Sequence, residues 1–161
     1  MTQSEMLAMV RKLISDEQAT GFTDGGNLEE PEGTQELLNY LDRAVDEYSK
    51  RQAAAFDIRL QKTMRVTNNM SIPSDFLAFC GVVPLSVESG KFTYYGEAPS
   101  LPVKYFARLP YVSRNEGTLP YDEDQEIAIA ALAAIYALNK HEFNVSQDLL
   151  LLGYGVSNAN G

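Results

Sequence analysis

The sequence predicts a mainly α, α+β fold: three to four helices with an inserted antiparallel β-hairpin or small sheet. Two patterns carry this prediction. Apolar residues recur at helical spacing in 3–55 and 119–152, whereas short stretches within 56–114 alternate apolar and polar. With 161 residues, 45% hydrophobic and 22% charged, one domain can bury a core without staples. The expected organisation is therefore a single domain, 1–161, with a helical core, a β insertion and a flexible tail at 153–161.

Thr2 and Glu5 are spaced as a capping box, and Met6, Met9, Val10, Leu13 and Ile14 follow at helical spacing, so a helix is expected over 3–15. The Gly-, Pro- and acid-rich run 20–33 reads as a loop. Its Asp24, Asn27, Glu29 and Glu30 miss the spacing of a calcium loop. Thr34 is the expected cap of a second helix reaching Ala55, with Leu37, Leu41, Ala44, Val45 and Tyr48 as its stripe. "FDIRLQKTMRVTNN" (56–69) reads as strand-like, with Met64 and Val66 alternating against Arg65, and "SIPSDFLAF" (71–79) reads as a turn into a short helix or bend. "CGVVPLSV" and "GKFTYYG" are short strands, joined by "LPVKYFARLP" (101–110) in an antiparallel set of three or four.

That last stretch sets Val103, Tyr105, Ala107 and Leu109 on one face and Lys104, Phe106 and Arg108 on the other, and Pro110 ends it. Asp122 and Gln125 form a second capping box, and acids at 122, 123, 124 and 126 suit the positive start of a helix. The run from Ile127 to Leu138 is apolar on every side, which demands burial all round, and its 12 residues fall short of the roughly 20 that cross a bilayer. A last helix is expected over 145–152, capped by Asn144 and closed by Gly153.

The net charge of −9 opposes non-specific nucleic-acid binding. It is uneven: 56–114 holds seven Lys/Arg and four Asp/Glu, while the flanking thirds are acidic. Cys80 is the single cysteine, so no internal disulfide is possible and a reducing compartment is expected. His141 is the single histidine, placed at a helix end beside Lys140. No nucleophile elbow, phosphate loop, dinucleotide fingerprint or zinc motif occurs, and no metal or cofactor is expected. "GKFTYYG" departs from the RNA-binding strand pattern. Interaction, not catalysis, is the expectation.

The order of these pieces resembles the head–tail connector (adaptor) proteins of tailed bacteriophages. The similarity runs through the opening helix, "GFT" (21–23), "ELLNYLDRAVDEYSK" (36–50), "IPSDFLAFCGV" (72–82), "PVKYFARLP" (102–110) and "LPYDEDQEIAIAALAAIYAL" (119–138), roughly residues 3–152. Many connectors pass from the "FT" pair almost directly into the second helix, whereas Asp24 to Gly33 intervene here.

The resemblance implies a structural virion protein at the head–tail junction, assembled in the host cytoplasm. It would form a homo-oligomeric ring, of about twelve copies in such connectors, with a channel for DNA. Its partners would be the portal protein and a neck or tail protein, a stopper or tail tube. Expected contact residues are Tyr94, Tyr95, Lys104, Phe106 and Arg108, with Tyr154 and Val156 of the tail docking on the portal. Tyr94→Ala, Phe106→Ala or truncation after Leu152 is then expected to harm assembly more than folding. The alternatives are another neck or tail-completion protein, a stopper or terminator, or a nucleic-acid-binding regulator using the basic middle.

Overall fold

Two of the three helices among the described residues start at side chains that satisfy their first backbone N–H groups. The computed structural model describes residues 1–19, 31–94 and 96–140, with side chains left aside at 16–19, 31 and 32. Helix α1 spans Gln3–Ala19, and its capping box forms as expected: the Thr2 N–H donates to Glu5 at 2.7 Å and the Glu5 N–H to Thr2 Oγ1 at 3.3 Å. Met6, Leu7, Val10 and Ile14 are its buried face.

Helix α2 spans Pro31–Ala54 and so begins three residues before Thr34. Proline fits a first helical turn because its missing N–H would have no partner there. Thr34 lies inside the helix and its Oγ1 accepts from Arg11. The stripe Leu37, Leu41, Ala44, Val45 and Tyr48 is buried throughout.

Beyond α2 come a 3-10 turn at Ile58–Leu60 and five strands: β1 (Gln61–Val66), β2 (Phe76–Phe79), β3 (Leu85–Glu88), β4 (Lys91–Tyr94) and β5 (Leu101–Ala107). Helix α3 follows at Glu123–Asn139. Among the described residues the architecture is thus mixed α+β, three helices with small antiparallel sheets. None of these helices is long and apolar enough to cross a membrane.

Two expectations need correction. Residues 76–79 form a strand, not a helix or bend, and pair with β5 across a register shift between Phe76 and Ala78. The strands also divide into a three-stranded sheet, β1-β5-β2, and a separate β3-β4 hairpin. Ser89 and Gly90, with φ of +52° and +76°, make the tight turn whose hand matches hairpin twist.

The chain resolves into two compact units: residues 1–48 with 110–161, and residues 49–109. In the first, α1 packs on α3, and α2 fastens the segment after residue 110. Tyr111 OH donates to Asp46 at 3.0 Å, the Ser113 N–H and hydroxyl both donate to Asp42, and Gln3 donates to the Val112 carbonyl at 2.9 Å. Asp122 and Gln125 complete the capping box expected of α3, the Asp122 N–H donating to Gln125 at 2.8 Å. From Ile129 to Leu138 burial runs nearly all round the helix, so much of the all-round cover is supplied within the chain itself. Ile127, one turn from the start, is the exception at 50% exposure.

In the second unit the three-stranded sheet is covered on both sides. Val66 and Val103 pack with Phe92 of the hairpin, and Phe106 packs with Leu60 and with Ala53 from the last turn of α2. Rings of Phe76, Phe79, Phe92 and Tyr105 meet at 5.0–5.8 Å and tie the hairpin to the sheet. The Leu109 N–H donates to the fully buried Ser49 hydroxyl at 3.1 Å, joining the two ends of the unit. The helix expected over 145–152, its Asn144 cap, His141 and the 153–161 tail lie outside the described residues.

Candidate functional site

The end of α2 sets up the most exposed aromatic of the described residues. The helix closes with Phe56 N–H donating to the Ala53 carbonyl and Asp57 N–H to the Gln52 carbonyl, the double bond pattern that normally needs glycine at the left-handed position. Here that position is Phe56, with φ of +58°. A bulky residue in this conformation costs on the order of 1 kcal/mol or more and persists only where its surroundings hold it. Phe56 is 68% exposed, and its ring meets Phe106 edge-on at 5.5 Å and 85°.

Between this corner and β2 lies an open cleft of about 600 Å³, walled by Lys50, Ala53, Phe56, Leu77, Phe79 and Phe106. Ile58, 75% exposed, adds apolar surface just beyond Phe56 in the chain. Strand β2 is also an edge of its sheet. Apart from Lys50 the lining is apolar, which suits a protein side chain better than a small polar molecule.

The segment that carries the cleft is net basic. Residues 49–109 carry eight Lys/Arg and four Asp/Glu, net +4, while the rest of the chain carries five and eighteen, net −13. Two of the four acids are held locally: Asp57 by Arg59 at 2.8 Å and Asp75 by Lys62 at 2.8 Å. Lys50 on the wall and Lys104, exposed on the Phe106 face of β5, make no ion pair among the described residues.

Cys80 packs beside Phe106, and burial pushes its thiol above the ordinary value, against the opposing charge of Lys104. Burial thus favours the neutral thiol over the thiolate. Among the described residues no group of three His, Cys, Asp or Glu could hold a metal ion.

Burial pushes Asp75 upward, but the Lys62 ammonium and the Tyr105 hydroxyl, at 3.1 Å, more than offset it and hold the carboxyl below its ordinary value. A group depressed by folding stabilises the fold above its unfolded pKa, and that stability goes as pH falls through the folded value. Wild-type stability is therefore expected to fall below about pH 4. Asp75→Asn should be less stable at neutral pH and show a shallower acid decline in urea titrations at stepped pH. Parallel declines would show that Asp75 contributes nothing to the linkage.

The expected contact residues are dispersed. Lys104 is exposed, as expected. Phe106 requires correction: it is 2% exposed and belongs to the unit's core, because Ala53 of α2 and Leu60 pack against it. Arg108 is half-buried and ties the end of β5 inward, its N–H donating to the Asp75 carbonyl at 2.7 Å and its guanidinium to the Ser74 carbonyl at 3.1 Å. Tyr94 is half-buried at the end of β4, with its ring so close over Gly96 that a Cβ there would collide with it. Tyr95, Tyr154 and Val156 lie outside the described residues.

Sequence reasoning missed Phe56 and Ile58. Their signal was present as two large apolar residues flanking Asp57 directly after a helix. No family model, curated protein or solved structure matches the chain.

Proposed function

We propose that this chain is a structural virion protein, a ring-forming head–tail connector that docks on a portal and joins it to the neck or tail. The observation that carries this reading is the division of labour along the chain. An acidic helical unit is built from both flanks of the sequence, and a basic β unit inserted between them bears an open apolar cleft with Lys50 on its wall. That is the equipment of a protein that grips other proteins. It also accompanies the order of motifs through which the sequence resembles connectors. A ring of such subunits would be strongly acidic overall, and a bore lined by its acidic parts would let DNA pass without sticking.

The test is localisation. Antibody to this chain, with gold, is applied to particles from lysates of the cells that make it, and the particles are imaged by electron microscopy. Label at the single vertex where capsid meets tail is the expected result, and finer imaging of the neck separates connector from stopper or terminator. Label confined to free protein or nucleoid would overturn the reading. The net +4 of residues 49–109 favours one second reading, a nucleic-acid-binding regulator. It requires duplex binding by the free protein that weakens steeply with salt; the connector requires almost none at physiological salt.

A further inference from the structure

The chain carries a second exposed feature whose chemistry is the inverse of the cleft. At the start of α3, Asp122, Glu123 and Asp124 are exposed, and Ile127 follows at 50% exposure. Residues three and four apart share a helix face, so Glu123 and Asp124 flank Ile127 on one side of the helix. The result is an apolar knob bordered by carboxylates, on a helix start already fixed by its capping box. The cleft is an apolar socket bordered by Lys50, with Lys104 on the same face of β5 as Phe106.

We propose that the cleft of residues 49–109 receives the α3 start of a second copy of this chain. Ile127 of one copy would sit against Phe56 and Leu77 of the next, while Glu123 and Asp124 meet Lys50 and Lys104. Charge complementarity selects this occupant: the socket belongs to a segment of net +4 and the knob to the −13 remainder. The contact joins unlike surfaces, so every copy offers one knob and one socket, the arrangement that closes into a ring when the rotation allows. This inference rests on the proposed ring assembly and supplies its lateral contact.

It also gives the conformation of Phe56 a use. Glycine would end α2 without the left-handed penalty, and phenylalanine instead holds a ring at the mouth of the socket.

The experiment is sedimentation velocity on the full chain from roughly 1 to 200 µM, with circular dichroism as the folding control. The wild type is expected to associate reversibly, more weakly at high salt. Lys50→Glu with Lys104→Glu should weaken association at least about tenfold, as should Glu123→Lys with Asp124→Lys. Mixing the two reversed proteins should restore it, since each one's knob then matches the other's socket. Phe56→Gly should lower association while the thermal midpoint stays level or rises.

A wild type that remains monomeric throughout overturns the inference. So do reversed variants that associate like wild type, or a mixture that does not recover; a ring built through other surfaces would survive either of these. If the charge swap holds while the antibody never marks the capsid–tail vertex, the contact stands and the connector reading falls.

Discussion

Phe106→Ala should lower the thermal midpoint by roughly 10 °C. The ring is 2% exposed, packs on Ala53 and Leu60, and meets Phe56 edge-on. Truncating a buried phenylalanine costs about 3–5 kcal/mol, from lost transfer energy and the cavity left behind. In a chain of this length each kcal/mol moves the midpoint by roughly 2–4 °C. Calorimetry or a circular-dichroism melt reads the effect directly. The resemblance to connectors, which makes Phe106 a contact residue, implies instead that this substitution harms assembly more than folding. An unchanged melt would restore that expectation and place the ring outside the core.

Leu132→Ala should be comparably damaging, by about 2–5 kcal/mol, whereas Ile127→Ala on the same helix should cost less than about 1. Leu132 is fully buried on α3, while Ile127 is half-exposed, so the second loses little burial. Total stability is only about 5–15 kcal/mol, so the first variant should show a clear loss in a urea titration. Equal effects would mean that the first turn of α3 is covered in solution. Association must therefore be measured beside stability, because Ile127 is also the proposed knob.

How much of this was legible in the sequence depends on whether the governing interaction is local. The stripe from Leu37 to Tyr48 and the Thr2–Glu5 and Asp122–Gln125 boxes are written within a few residues of each other, and all are present in the fold. Thr34 offers a capping hydroxyl and so marks a later start for α2 than the fold has, since the proline at 31 also suits a first turn. β2 is four residues long and irregular in register, too short for alternation to register. Pairing of β1 with β5 joins residues about forty apart, which no local pattern specifies. The alternation of β5 identified its two faces correctly. It could not say that Tyr105, Phe106 and Ala107 would all be buried, since that depends on what α2 and the hairpin bring to each side. The socket was hidden for a related reason: its Phe56 occupies a conformation that its residue type disfavours.

The bond between Ser49 and Leu109 has an evolutionary consequence. It brings the entry and exit of the β segment to one point, with the entry held inside a continuous helix, α2. A segment whose ends meet can be lengthened, shortened or exchanged as a cassette without changing the path its flanks must follow. The basic cassette and its acidic host can then vary at different rates. A lineage could acquire a new recognition surface while keeping its helical scaffold, leaving related chains with recognisable flanks and unrecognisable middles.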